Sequence, residues 1–175
     1  MLFALLFSSR LHAQARDISS SITDKKSKFD WDKVVVGGGF GASFGTITNI
    51  DLSPSIGYKV KDFWLAGVGT RYVYFSDKRF NPAFTTNIYG GGPFTQLYFL
   101  ESFLVHSEYE FLNVEQLDSF EERTFIQSWL VGGGYRSSIG GGNSFASFIV
   151  LFDLIQDANS PYTNPIFRVN FGFGL

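Results

Sequence analysis

The stretch "VHSEYE", Val105 to Glu110, places His106, Glu108 and Glu110 at alternate positions. In an extended strand, side chains two residues apart share a face. The histidine and both carboxylates therefore point one way, and Ser107 points the other. A histidine beside a carboxylate is the base half of a nucleophilic site, which needs a hydroxyl within hydrogen-bond reach. Ser107 cannot supply it from the opposite face, so the serine has to come from a neighbouring strand. A metal centre takes three or four ligands, and no second histidine, cysteine or carboxylate spacing completes one around His106. The sequence predicts no metal and no cofactor.

A second candidate chemistry lies in "VVVGGGFGASFG", Val34 to Gly45, where Gly37-x-Gly39-x-x-Ala42 approximates a dinucleotide fingerprint. That fingerprint requires a helix straight after the glycines and an acidic residue about 20 positions on. Asp62 stands near that distance, but the intervening "NIDLSPSIGYKV" alternates with period two. Ile50, Leu52, Pro54, Ile56, Tyr58 and Val60 fall on one face, with Asp51, Ser53, Ser55, Gly57 and Lys59 on the other. A helix does not carry that pattern, and Pro54 opposes a helical interior. Glycine triplets also recur at Gly90–Gly92, Gly132–Gly134 and Gly140–Gly142. Repeated glycines within strands explain them; several phosphate cradles in one small chain do not.

The elements that must position these residues are strands throughout. Eight alternating segments are expected, at 33–46, 48–60, 63–75, 87–100, 103–113, 124–136, 144–154 and 165–175. Their lengths match a tilted membrane-crossing strand of about 9–11 residues rather than the roughly 5–6 of ordinary strands. Tight "VKD" and "LES" connections alternate with long "SDKRFNPAFTT", "VEQLDSFEER" and "QDANSPYTN" ones. The expected fold is an all-β, eight-stranded antiparallel up-and-down transmembrane barrel over residues 31–175. Charged residues make up 17% of the chain, below the roughly 25% of soluble domains, while aromatics reach 18%. A net charge of −2 offers nucleic acid no basic footprint.

At the N-terminus, the apolar run Leu2–Phe7 followed by Ala13-Gln14-Ala15 reads as a signal peptide over 1–15. It lacks a basic segment before the apolar run, so the start codon is expected upstream. Residues 16–30 read as a flexible polar leader. With no cysteine in the sequence, neither disulfides nor a lipoprotein anchor is expected.

Period-two alternation alone does not say which face is outside. The polar face of the first strand (Gly37, Gly39, Gly41, Ser43, Gly45) is small, as a narrow barrel interior requires. Apolar-face aromatics gather at strand ends in two girdles. One comprises Tyr58, Trp64, Phe99, Phe103, Tyr135 and Phe173; the other Phe44, Tyr72, Tyr74, Phe111, Phe125 and Phe152. With the apolar face outward, Lys59, Arg71, Arg136 and Arg168 point inward together with Asp51, Glu108, Glu110 and Asp153. Four charges of each sign predict ion pairs that plug the lumen rather than a gated pore or proton path. In the loops, Glu115, Asp118, Glu121 and Glu122 beside Arg123 read as a solvated segment able to hold divalent cations or a partner. Phe80 and Phe84 are candidate partner contacts.

The final segment "IFRVNFGFGL" sets Phe167, Val169, Phe171, Phe173 and Leu175 on one face against Arg168, Asn170, Gly172 and Gly174. With such an aromatic-rich closing strand, the chain resembles the small outer-membrane β-barrel family of the OmpA-like eight-stranded type. The resemblance covers nearly all of residues 31–175, without a peptidoglycan-binding domain. That family usually ends in Phe or Trp where this chain has Leu175. The resemblance implies an outer-membrane location with both termini periplasmic. It also implies outer-membrane lipid and lipopolysaccharide as surroundings, recognition of the last strand by the barrel-assembly machinery, and another envelope protein as a partner. The function expected is structural, or that of an accessory envelope subunit, and not enzymatic. Some eight-stranded outer-membrane barrels modify lipid A, which makes an enzyme centred on His106 the second reading. A soluble lipocalin-like binder of an apolar ligand, with the faces inverted, is the third.

Overall fold

A computed structural model describes residues 29–79, 81–115, 122–140 and 142–175. The expected signal peptide, nearly all of the leader, Phe80, Asp118 and Glu121 lie outside the described residues. After a single 3-10 turn at Trp31–Lys33, the chain runs through eight strands. These are β1 (Val34–Ser43), β2 (Ile47–Lys61), β3 (Trp64–Asp77), β4 (Phe84–Phe99), β5 (Phe103–Glu115), β6 (Arg123–Ser138), β7 (Ser144–Asp153) and β8 (Ile166–Gly174). Each pairs antiparallel with its sequence neighbour, and β8 returns to β1 to close the barrel. All belong to the compact unit Trp31–Leu175.

Every expected strand is present, with shifted ends. The largest differences are of three residues: β1 ends at Ser43 rather than residue 46, and β4 starts at Phe84 rather than residue 87, because Thr85 and Thr86 pair with Ser76 and Phe75. The hairpin ladder thus continues into what reads as a polar loop. Gly37, Gly39 and Ala42 all lie inside β1, and a tight turn into β2 follows instead of a helix. The dinucleotide reading ends there.

The triplets Gly90–Gly92 and Gly132–Gly134 mark places where neighbouring backbones nearly touch, whereas Gly140 and Gly142 stand in open space. A Cβ on Gly92 would lie 1.8 Å from the Tyr109 carbonyl oxygen, and one on Gly132 would lie 1.9 Å from that of Val150. Elsewhere glycine makes room for a ring: a Cβ on Gly172 would meet Phe145 Cζ at 2.6 Å. Phe145 is the direct cross-strand partner of Gly172, so the ring lies over the bare backbone and fills the lumen there.

The interior carries aliphatic clusters toward both ends, with the connected charges between them. Near the long connections, Val73, Ile88, Leu112, Val114 and Ile126 pack together. Near the short ones, Val35, Leu65 and Phe145 do so. Leu104, Leu130, Ile149 and Leu151 join the two levels along the β5–β7 wall. An eight-stranded barrel is just wide enough for side chains to fill it. Small residues on β1 and β2 face these large ones.

The packing predicts two opposite outcomes from one kind of change. Gly132→Ala pushes a methyl into backbone and is expected to cost about 1–3 kcal/mol. Gly41→Ala, whose added Cβ would meet only Asp51 Cβ at 3.7 Å, is expected to stay within about 0.5 kcal/mol of the parent. Urea unfolding followed by tryptophan fluorescence measures both.

Candidate functional site in the barrel lumen

Alternation on β5 brings His106, Glu108 and Glu110 inward, all three buried, while Ser107 faces out. Across the lumen, β2 contributes Asp51, β3 contributes Arg71 and β8 contributes Arg168. Arg71 reaches Asp51 Oδ2 at 2.6 Å and Glu110 Oε1 at 3.3 Å. Arg168 donates to Glu108 Oε2 through Nη1 and to Glu110 Oε1 at 3.2 Å through Nη2. Five of the eight expected inward charges therefore form one connected network in which Glu110 bridges both arginines.

The other three do something else. Arg136 stacks over the rings of Phe145 at 3.8 Å and Tyr98 at 5.0 Å. Asp153 organises the β7–β8 connection, accepting from the backbone N–H groups of Trp129 and Ile155 and from the Ser160 hydroxyl. Height explains why these two do not pair. Asp153 lies opposite Leu130, and Arg136 is six residues further along β6, or about 20 Å at roughly 3.3 Å per residue. Lys59 lies at the short-turn end, its Nζ beside Gly174. Equal numbers of each sign were a poor guide to pairing, because charges at opposite ends of a barrel do not meet.

The residue that sequence reasoning missed is Tyr162. The connection 154–165 is tied down by Asn164, whose side-chain oxygen accepts from Asp153 N at 2.7 Å while its amide donates to Asp153 O at 3.0 Å. The loop tucks Tyr162 into the lumen, where the ring packs against the aliphatic clusters. Its hydroxyl accepts from Arg71 Nη1 at 2.6 Å and donates to Glu110 Oε2. Burial holds the phenol proton on, above the ordinary tyrosine range, against the opposing pull of Arg71. Nothing in the periodicity separates this tyrosine from other loop aromatics. Gln96 and Tyr98, inward on β4, follow from the same alternation that located the charges.

Those two residues set the state of His106. Tyr98 donates to Gln96 Oε1 at 2.7 Å, which leaves Gln96 Nε2 to donate to His106 Nδ1 at 3.0 Å. The ring proton then sits on Nε2 and points to Glu108 Oε2 at 3.2 Å. Both nitrogens are engaged, and no described hydroxyl hydrogen-bonds to the ring. The adjoining cavity, lined by Ser53, Ser55, His106, Glu108 and Arg168 among others, has a volume of about 60 Å³. That accommodates water, at about 30 Å³ each in the liquid, and falls well short of the roughly 300 Å³ of a small-molecule pocket. Among the described residues, no group of three or more His, Asp or Glu side chains is placed to hold a metal ion.

Facing outward are Trp64, Phe99, Phe103, Tyr135 and Phe173 at one end and Tyr72, Phe111, Phe125 and Phe152 at the other, all exposed. Tyr58 and Tyr74 are half-buried, and Phe44 stands in the β1–β2 turn. Phe99, Phe103 and Tyr135 form a continuous ring contact, with centroids 5.9 and 5.7 Å apart. In the acidic segment, Glu115 pairs with Arg123 at 3.1 Å, and Glu122 is exposed.

Comparison with known proteins gives no match: no family model fits the sequence, and no characterised protein or solved structure is similar to it.

The network predicts that Glu110→Gln, which keeps the shape but leaves Arg71–Asp51 and Arg168–Glu108 paired and weakens the hydrogen bonds through which Glu110 bridges both arginines, destabilises the barrel by about 1–3 kcal/mol. Tyr162→Phe leaves a buried carboxylate oxygen short of a donor and is expected to cost about 1–3 kcal/mol. Urea titration checks both. The aliphatic clusters still fill the lumen, so planar-bilayer recordings of Glu110→Gln are expected to show no stable channel steps.

Proposed function

We propose that this chain is an outer-membrane β-barrel with a closed, ion-paired lumen, acting as a structural element or as an accessory subunit of an envelope complex. One observation carries the reading: every strand presents a large apolar side chain outward and exposed. Going round the barrel, these include Phe40, Ile56, Val68, Leu97, Val105, Trp129, Phe148 and Phe171. A water-soluble monomer rarely exposes a contiguous apolar patch beyond about 300–600 Å²; a belt on all eight strands is what hydrocarbon stabilises.

Polar groups on that face support the same surroundings, because they satisfy one another. Trp129 Nε1 donates to Ser107 Oγ at 3.0 Å, Trp64 Nε1 to Thr95 Oγ1 at 2.8 Å, and the Tyr72 hydroxyl to Asn87 Oδ1 at 2.8 Å. Such pairing matters most where solvent offers no hydrogen bonds. The small cavity beside His106 speaks against a lipocalin-like carrier, and the engagement of both imidazole nitrogens speaks against lipid A chemistry at His106. The reading places both termini in the periplasm. It assigns β8, with Phe167, Val169, Phe171 and Phe173 exposed along one face, to recognition by the barrel-assembly machinery of an OmpA-like barrel. Lipopolysaccharide is then the outer neighbour.

In a Gram-negative host the protein is expected to stay with outer membranes after a urea wash. It should also migrate differently on a gel when loaded cold in SDS than after boiling. Recovery in the soluble periplasm without a heat-dependent shift would overturn the proposal.

A further inference from the structure

β6 is paired along its whole length on one side and along only part of it on the other. Its ladder with β5 is continuous from Phe103↔Tyr135 to Glu115↔Arg123. Its ladder with β7 runs from Ser138↔Phe145 only as far as Leu130↔Asp153. One step further, Leu154 N donates to Trp129 O, while Trp129 N donates to the Asp153 side chain at 3.2 Å instead of to β7 backbone. The chain then turns away through Gln156, which has a left-handed φ of 52°. Backbone groups alternate sides along a strand. Trp129 turns its N–H and C=O toward β7, so Gln127, Phe125 and Arg123 do the same, and Thr124, Ile126 and Ser128 face β5. Among the described residues, nothing hydrogen-bonds the backbone of Gln127, Phe125 or Arg123 on that side. Arg123–Gln127 is an open sheet edge.

Stable proteins blunt such edges with proline, a bulge, an outward lysine or a covering segment. This edge has no proline, and its register with β5 has no bulge. Its one charge is turned the other way: Arg123 donates to Asn113 and Glu115 and lies over the Tyr89 ring at 5.0 Å, all on the β4–β5 side. The outward neighbour of the edge is apolar, with Phe125 76% exposed.

We propose that the β6 edge Arg123–Gln127 takes up an extended, basic segment of a partner protein as an added antiparallel strand in line with β7. This inference deepens the accessory-subunit reading and rests on it. In that reading Gln127, directly opposite Phe111, lies at the outer girdle, and Phe125 and Arg123 reach beyond it, where a partner has access. Alternating N–H and C=O groups are matched by extended polypeptide, so the main chain supplies attraction and the side chains supply choice. Two features describe the segment. Phe125 is filled by a β-branched or aromatic residue directly opposite it, the cross-strand pairing that stabilises sheets. The connection entering β6 carries Asp118, Glu121 and Glu122 besides the Glu115–Arg123 pair, and Glu122 is exposed. A strand antiparallel to β6 brings its C-terminal end to that place, so the basic residues belong there.

Amide hydrogen exchange on the full chain in phosphatidylcholine vesicles tests this. In the protein alone, the Phe125 and Gln127 amides are expected to exchange fast, and those of Ile126 and Ser128, which face β5, slowly. The probe is a synthetic heptapeptide that alternates threonine with valine and phenylalanine and ends in two lysines. At about ten times its Kd it is expected to slow the Phe125 and Gln127 amides about ten-fold. The same peptide N-methylated at every residue is expected to have no effect, and exchanging its lysines for glutamates to raise Kd about two- to five-fold. Phe125→Pro deletes an edge donor without touching the β5 ladder and is expected to abolish the protection at Gln127. Phe125→Thr, which keeps the N–H, is expected to retain it. Slow Phe125 and Gln127 amides in the protein alone, no protection by the peptide, or equal protection by its N-methylated form would overturn the proposal. Equal binding of the glutamate form would overturn the basic character of the segment. Protection that grows with the concentration of the barrel alone would give the edge to a second copy of this chain and overturn the partner assignment. Gel mobility of the same samples separates the two levels. Without a heat-dependent shift the membrane reading fails and this inference with it; a normal shift without protection removes this inference alone.

Discussion

Buried charge is the constraint on which the rest of this barrel depends. Two arginines and three carboxylates occupy the middle of a lumen too narrow for bulk water, and an uncompensated charge there costs several kcal/mol. Glu110 resolves the problem by bridging Arg71 and Arg168, and Tyr162 completes it from a loop by donating to the carboxylate and accepting from Arg71. The strands contribute register, because only one inward face per strand brings Asp51, Arg71, Glu108, Glu110 and Arg168 to a common height. The glycines contribute proximity, letting β4 approach β5 and β6 approach β7 closely enough for the ring to close.

The polar layer lies between aliphatic ones. Val73, Ile88, Leu112, Val114 and Ile126 seal it on the long-loop side, and Val35, Leu65 and Phe145 on the other. This arrangement lowers the local dielectric and strengthens each ion pair, and it equally raises the cost of leaving one unmade. The β7–β8 connection belongs to the same design. Asp153 spends its charge on loop backbone and on Ser160, and that folded loop is what holds Tyr162 in the lumen. The interior charges thus divide into three roles. One group closes the lumen, Asp153 shapes the loop that helps to close it, and Arg136 lies against the rings of Tyr98 and Phe145.

Much of this is legible in the residues themselves. The alternation of "VHSEYE" and of "IFRVNFGFGL" places each side chain on its side of the wall, because a strand has only two faces and Gly, Ser and charge avoid the apolar one. What the letters do not carry is height. Arg136 and Asp153 share a face and a charge balance yet sit at different levels, which depends on barrel register rather than on residue type. Tyr162 is illegible for a related reason. Its place comes from a loop held by Asn164 and Asp153, and loops have no period to read. The shortness of the closing β1–β8 ladder, Val35–Gly39 against Gly174–Asn170, leaves no trace either, since paired and unpaired strand residues carry the same pattern. The outward apolar face is the feature on which the alternation and the architecture bear together.

Refolding from urea, with and without lipid, tests the central claim most directly. The chain is diluted into buffer alone or into phosphatidylcholine vesicles, then examined by circular dichroism and by gel mobility with and without boiling. With an apolar exterior and a charged, closed interior, the barrel is expected to form only with vesicles, giving a cold-SDS-resistant band that boiling abolishes, and to aggregate in buffer alone. A soluble, monomeric β-sheet protein obtained in buffer without lipid would contradict the account.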